Sequence, residues 1–202
     1  MQFGHHPCFS PSVNDVSLPA AKGAGPLLQR DYWAVFPGCA LKPSEVMAYV
    51  KAHFCELPPA SLVQFAAPNG METAAALDIR ILPAQSCQVR VVHHDAQSLT
   101  LGTLEGHPEA GRITFGTYRN AAGAVIFHIR SRARSATTAK RLGFLAIGDA
   151  MQVNTWTDFI NNTAAGLGVQ MSDAIRAETQ EVEERPEDGD PIQSPTFIAA
   201  GD

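Results

Sequence analysis

The sequence contains no long hydrophobic run. No stretch approaches the roughly 18 uninterrupted apolar residues typical of a membrane helix, so we expect no membrane span. The opening residues, MQFGHHPCFSPS, contain neither Lys nor Arg and no apolar core. This pattern argues against a secretory signal peptide and favours a cytoplasmic location.

Paired cysteines and known catalytic motifs are also missing. Cys8, Cys39, Cys55 and Cys87 are scattered and form no C-x-x-C pair. A chain of 202 residues can build a core without disulfides, so we expect free thiols. The sequence has no nucleophile elbow, no glycine-rich phosphate loop and no metal motif, so it predicts no metal and no cofactor. This absence does not exclude catalysis.

Charge is distributed unevenly. The formal net charge is −5, but the segment from Glu178 onward holds eight acids and one base, which leaves 12 acids and 14 bases in the other 177 residues. Between Arg112 and Arg141 there are seven bases and no acid. The body of the chain is therefore slightly basic, and its acidity belongs to the C-terminal tail.

Alternating apolar residues predict a series of short strands. Turn residues separate most of them, and strands joined by such short turns must be antiparallel neighbours. We therefore expect an antiparallel sheet of five to seven strands. The predicted strands lie near residues 31–37, 77–81, 87–91, 98–104, 112–119 and 124–134.

Helical periodicity appears in four places. An amphipathic helix is predicted from Pro43 to the prolines at 58 and 59, and a long one over 137–165. Shorter helical pieces are predicted at 60–66 and 172–182. The predicted organisation is an extended lead-in over 1–30, an α+β domain over 31–168, and a short helix with a flexible acidic tail over 169–202.

Several strings together resemble a known family. They are FPGCALKPSEVMAYVKAHF, TLEGHPEAG, FHIRSRARS, and the helical pattern M-x-x-x-x-W-x-x-F formed by Met151, Trp156 and Phe159. Over about residues 32–165 the chain resembles the uncharacterised family known as the domain of unknown function numbered nineteen-ninety. That family is placed in the START-like superfamily, with the birch pollen allergen, polyketide cyclases and lipid-transfer domains. The resemblance implies a helix-grip fold. In this fold a curved antiparallel sheet wraps around a long C-terminal helix, and an apolar cavity lies between the sheet and the helix.

A cavity between sheet and helix would be a site for a small molecule. We expect apolar side chains to line it, with a tyrosine as a polar handle. The alternative is a filled core made by the same aromatic residues. The candidate lining residues are Leu101, Phe115, Tyr118, Phe127, Ile129, Val153 and Trp156.

Arg130, Arg132 and Arg134 share one strand face because they are two residues apart. One interpretation is an anion-binding surface, and another is a solvated outer face that discourages edge pairing. A third is that the acidic tail folds back over this face. The sequence favours the solvated face.

The segment Glu105-Gly106-His107-Pro108-Glu109 places carboxylates and an imidazole close together, but proline and glycine first indicate a turn. If the protein is an enzyme, His107, Glu105 and His128 are its acid–base candidates.

The leading hypothesis is a cytoplasmic protein that binds a small hydrophobic or amphipathic molecule between sheet and helix. The first rival is a cyclase-, hydratase- or hydrolase-like enzyme that uses the same cavity. The second is an interaction module that uses the basic face. No nucleic-acid partner is expected, and the sequence favours binding over catalysis without naming the ligand or the oligomeric state.

Overall fold

The computed structural model describes residues 16–83 and 85–189, without the side chains of 139–149, 187 and 189. Predictions for 1–15 and 190–202 lie outside these residues. A single antiparallel sheet in the order β2-β3-β4-β5-β6-β7-β1-β8 carries the helices, which confirms the predicted α+β class. The sheet has eight strands rather than five to seven: β1 (Ala24–Phe36), β2 (Val63–Ala66), β3 (Ala76–Ile81), β4 (Gln85–His94), β5 (Ser98–Thr103), β6 (Glu109–Arg119), β7 (Val125–Ser135) and β8 (Arg176–Val182).

The meander β3 to β7 forms as predicted. Leu101 pairs with Ile113, and Phe115 pairs with Ile129, so their side chains share the inward face of the sheet. Alternate residues point outward, which places Arg112 opposite Arg132 on the other face. One face therefore builds the core, and the other carries the arginines.

Strand β1 is longer than predicted and shortens the lead-in. It begins at Ala24 rather than near residue 31, because residues 27–33 pair with β8 on one side and residues 28–36 pair with β7 on the other. The register with β7 shifts between Ala24 and Leu28, where Gly25 and Pro26 interrupt regular pairing. These two residues made the segment look unstructured in the sequence.

Two segments predicted as helices are edge strands instead. Residues 60–66 contribute β2, in which Phe65 pairs with Ile79. Residues 172–182 contribute β8, in which Ala177 pairs with Tyr32. In both segments, backbone pairing with a distant strand outweighs local helix propensity, which is a weak determinant in short pieces.

The helices cover the inward face. Helix α1 (Pro43–Ala52) begins with a hydrogen bond of 2.6 Å from the Lys42 N–H to the Glu45 carboxylate. The long predicted helix is confirmed as α2 (Thr138–Leu167), and a short α3 (Pro186–Gly189) follows β8. Core side chains from α1 and α2 meet the sheet, among them Val46, Met47, Val50, Phe159, Ile160 and Ala164.

Gly111 ends the G-H-P-E-x-G turn at a point where β6 and β7 approach too closely for a side chain. Its φ is +151°, and a Cβ there would lie 2.2 Å from the carbonyl oxygen of Arg132 and 2.7 Å from the Cα of Ala133. Backbone atoms cannot move aside as a flexible side chain can. Glycine is therefore required here.

Replacing Gly111 with alanine is expected to lower the free energy of unfolding by about 2–6 kcal/mol, from backbone strain and the steric clash together. Chemical denaturation measures this loss. Gly106→Ala is the control, because its φ is +94° but nothing lies within 4 Å of the added Cβ. The control is expected to lose about 1–2 kcal/mol, from strain alone. Equal losses in the two variants would contradict the close-approach explanation.

Candidate ligand-binding site

A cavity of about 560 Å³ lies between the inward face of the sheet and residues 151–156 of α2. Strands β2 to β7 supply its walls, and Met151, Gln152, Thr155 and Trp156 supply its helical side. The turns that precede β4 and β6 border it. The sheet residues that line it through apolar side chains include Val63, Phe65, Ile79, Ile81, Val89, Leu101, Ile113 and Ala133.

Packing at the other end of the sheet explains why the space stays open. The ring of Phe159 lies 5.3 Å from that of Phe115 and 5.4 Å from that of Phe54, centroid to centroid. Trp156 packs against Phe115 at 5.5 Å. This cluster holds α2 at a fixed distance from the sheet. Beyond it, short side chains such as Ala133 cannot fill the gap.

One end of the cavity is polar. His107 is 9% exposed, and its Nδ1 lies 3.0 Å from the backbone nitrogen of Glu109 and 2.9 Å from its carbonyl oxygen. In either tautomer of His107, Nδ1 therefore has a hydrogen-bond partner in the Glu109 backbone. The Glu109 carboxylate forms a partly buried ion pair with Arg30 at 3.4 Å. Thr103 Oγ1 accepts a hydrogen bond of 2.9 Å from the Gly111 N–H.

The structure divides the predicted lining residues into two groups. Leu101 and Trp156 line the cavity. Phe115, Phe127 and Ile129 are fully buried in the packed core beside it. Val153 is partly buried against the same core. The interior therefore contains both a packed aromatic core and an open cavity beside it.

Tyr118 and His128 lie on the outward face and are not cavity residues. Alternation separates Tyr118 from Phe115, three residues away, and His128 from Phe127. Tyr118 Oη lies 3.3 Å from His128 Nδ1, and burial raises the pKa of the Tyr118 hydroxyl. The prediction of Tyr118 as a polar handle, and of His128 as an acid–base group in the cavity, is therefore wrong.

The two remaining acid–base candidates lie in the turn before β6. Glu105 is exposed and is not among the lining residues, whereas His107 lines the wall. His107 thus closes the turn and borders the cavity at once. Glu105 is placed too far out for acid–base work on a molecule inside.

Sequence reasoning missed most of the lining on β3, β4 and α2. Ile79, Ile81 and Val89 could have been found, because strand alternation places them on the same face as Leu101. Gln152 and Thr155 gave no signal, since polar residues on a helix normally face solvent.

The three outward arginines are held by acidic groups of the same chain. Arg130 Nε donates to Asp31 Oδ1 at 2.6 Å, and His128 Nε2 lies 2.7 Å from the same oxygen. Burial raises the pKa of Asp31, but hydrogen bonds from His128, Arg130 and Gln29 outweigh it and leave that pKa below its usual range. The carboxylate stays charged and ties β1 to β7.

Arg132 and Arg134 bind the C-terminal strap, by which we mean residues 176–189. Arg132 is 1% exposed and makes a two-point contact with Asp188, from Nε at 3.0 Å and from Nη2 at 2.6 Å. Arg134 Nη2 donates to Glu184 at 2.6 Å. The solvated-face prediction is therefore wrong for Arg132. An open anion-binding surface is also wrong, since the acidic segment folds back over this face.

Asp188 is the central residue of this contact. Its carboxylate also lies 3.4 Å from Arg112 Nη2 and accepts a hydrogen bond of 2.9 Å from the Arg185 N–H. Burial raises the pKa of Asp188, but the hydrogen bond and charge of Arg132 dominate and lower it. Because the folded pKa is depressed, the contact contributes its full stability above the unfolded value of about 3.9. The contribution is lost as the pH falls through the lower, folded pKa.

Asp188→Asn is expected to lower the local opening free energy of β8 by about 3 kcal/mol, because it leaves two guanidinium groups without a buried counter-charge. Hydrogen exchange of the β8 amides measures this. In the wild type, β8 protection should fall below about pH 4, whereas the variant should show little of that pH dependence. Glu184→Gln is the control. Its carboxylate is 44% exposed, so its loss should cost at most about 1 kcal/mol. Unchanged protection in Asp188→Asn would contradict this account.

No helix of the described chain is long and apolar enough to cross a membrane. Among the described side chains, no three His, Cys, Asp or Glu residues form a group that could hold a metal ion. Cys39, Cys55 and Cys87 form no disulfide among the described residues, and Cys8 lies outside them.

Several solved structures are similar to this chain at low sequence identity. A norcoclaurine synthase point mutant from Thalictrum flavum is 7% identical, with a TM-score of 0.50, and the match covers 71% of this chain and 96% of that one. A protein from Chromobacterium violaceum is 14% identical, with a TM-score of 0.49 and coverage of 69% and 96%. A major latex-like protein from Panax ginseng is 12% identical, with a TM-score of 0.45 and coverage of 70% and 98%.

The likeness to the norcoclaurine synthase shows a shared helix-grip fold, in which an antiparallel sheet packs against a long C-terminal helix. No curated protein matches the chain in sequence. Residues 56–160, which include the G-H-P-E-x-G turn, β2 to β7 and most of α2, match the family described as domain of unknown function (DUF1990). The chain belongs to this family.

Proposed function

We propose that the protein binds a small hydrophobic or amphipathic molecule in the cavity between the inward face of the sheet and α2. The proposal rests on the size and lining of the cavity. Its volume of about 560 Å³ lies within the range of roughly 300–1,000 Å³ found for small-molecule sites. Its walls are mostly apolar, with polar groups gathered at one end, as in sites that bury a ligand and fix its orientation.

Apolar burial is sufficient to hold such a molecule. Each Å² of apolar surface removed from water contributes about 25 cal/mol, so 200 Å² of ligand surface contributes roughly 5 kcal/mol before the cost of association. The similar norcoclaurine synthase is described in complex with a transition-state analogue, which is in keeping with a START-like fold that holds a small molecule. A fold alone does not name the ligand. We place this binding in the cytoplasm.

Catalysis in the same cavity is the second candidate, and the position of His107 on the cavity wall favours it. An imidazole there could exchange a proton with a bound molecule. However, its Nδ1 is engaged by the Glu109 backbone, and the Glu109 carboxylate is paired with Arg30. These contacts give both residues a structural role, so binding without catalysis remains the preferred function.

Filling the cavity tests the proposal. Ile81 lines the cavity, and its neighbour Arg80 is exposed on the opposite face of β3. Ile81→Trp is expected to weaken binding of the neutral fluorescent probe N-phenyl-1-naphthylamine by at least about tenfold, because the indole occupies the ligand's space. Arg80→Trp should bind the probe as the wild type does. Fluorescence titration measures both affinities, and thermal denaturation confirms that both variants fold.

Native mass spectrometry of protein purified from cells gives a second readout. A retained small molecule that is lost from Ile81→Trp but kept by Arg80→Trp supports the proposal. If the wild type neither retains a molecule nor binds the probe, the cavity is not a ligand site.

A further inference from the structure

Among the described residues, two side-chain oxygen atoms on the cavity wall have no hydrogen-bond partner. They are Ser131 Oγ on β7 and Gln152 Oε1 on α2. Ser131 is only 4% exposed. Buried polar atoms in proteins are nearly always paired, and each one left unpaired is costly. Two such atoms on one cavity call for a partner inside it.

Residue spacing places Ser131 and Gln152 at similar distances from the aromatic cluster. The ring of Phe127 on β7 is 6.1 Å from that of Phe159 on α2, which aligns the two elements at this point. From there, Ser131 lies four residues along β7, or about 13 Å, and Gln152 lies seven residues back along α2, or about 10 Å. Along both elements, the direction is away from the aromatic cluster and towards the polar end of the cavity. Their side chains thus border the same region from opposite walls.

We propose that Ser131 and Gln152 together bind a hydroxyl group on an otherwise apolar ligand, which is thus an alcohol or a phenol. This inference rests on the proposed function of the cavity. A ligand hydroxyl can donate its proton to Gln152 Oε1 and accept one from Ser131 Oγ, which satisfies both atoms at once. An ether or ketone has no proton to donate, and a hydrocarbon satisfies neither atom.

A carboxylate fits less well. It offers only acceptor oxygens, so it leaves Gln152 Oε1 unpaired and faces another oxygen there. Arg30 pairs in register with Ser131 across β1 and β7, but its guanidinium is paired with the partly buried Glu109 carboxylate. Arg112, a cation among the lining residues, is paired with Asp188. Because both guanidinium groups already have a carboxylate partner, a buried ligand carboxylate would lack a counter-charge of its own, which is expensive. The two unpaired oxygen atoms therefore favour a neutral hydroxyl over a carboxylate.

The test compares three probes with the same ten-carbon chain: decane, 1-decanol and decanoate. Affinity is measured by displacement of N-phenyl-1-naphthylamine, with thermal shift as an independent readout. The wild type is expected to bind 1-decanol roughly 5-fold to 10-fold more tightly than either decane or decanoate, which corresponds to the net contribution of about one hydrogen bond.

Ser131→Ala and Gln152→Leu remove the two atoms. Each is expected to erase most of the preference for 1-decanol while leaving decane binding unchanged or improved. Ser131→Ala should not lower the melting temperature of the ligand-free protein, because Ser131 Oγ has no hydrogen-bond partner among the described residues. This separates a ligand anchor from a structural polar group, whose removal would destabilise the protein.

Ser135→Ala and Asn154→Leu are the matched controls. Ser135 lies on the same strand and donates to the Thr137 carbonyl, and Asn154 is exposed on the same helix. Both variants should keep the preference for 1-decanol.

The outcomes distinguish the two proposals. If none of the three probes displaces the fluorophore, the cavity does not bind apolar molecules and the proposed function fails. If all three bind with equal affinity, or decanoate binds best, the cavity is a ligand site but the hydroxyl anchor is wrong. A preference for 1-decanol that survives in both Ser131→Ala and Gln152→Leu also overturns the anchor.

Discussion

The aromatic packing around Phe159 is the constraint on which the rest of the site depends. Phe54, Phe115, Phe127 and Trp156 contact its ring with centroid distances of 5.3–6.1 Å, so the turn after α1, the helix α2 and the centre of the sheet meet at one point. A packed cluster of this kind resists compression, as protein interiors generally do. It therefore acts as a fixed spacer between α2 and the sheet. The cavity is the space that the spacer leaves where the neighbouring side chains are too short to close it.

Strand β7 carries two different surfaces, and its alternation keeps them apart. Its inward residues Ser131 and Ala133 border the cavity, while Arg130, Arg132 and Arg134 point outward to acidic partners. A shift of register by one residue would exchange these sets and bury three guanidinium groups against apolar walls. The outward ion pairs with Asp31 on β1 and with Asp188 on the strap oppose such a shift. Charge on one face thus supports the geometry of the cavity on the other.

The sequence predicted the parts of the fold whose information is local. Strands β3 to β7 and helix α2 have strong periodicity, and short turns determine their order. It did not predict β8, whose residues are almost all exposed and show no apolar alternation. That strand exists because the edge of β1 offers backbone partners about 150 residues earlier in the chain, and because Asp188 anchors it. For the site, Leu101 and Trp156 were predictable from periodicity. Ser131 was visible as an inward residue, but its missing hydrogen-bond partner only emerges in three dimensions.

The G-H-P-E-x-G turn gains a physical explanation from these contacts. His107 closes the turn through the backbone of Glu109, and Glu109, which also lines the cavity, pairs with Arg30 through its side chain. Gly111 lets β6 approach the backbone at Arg132, the residue whose guanidinium holds the strap. The turn therefore joins the polar end of the cavity on one face to the arginine network on the other. Each of its chemically distinctive residues has a structural task, which is why the motif can mark a family without naming a reaction.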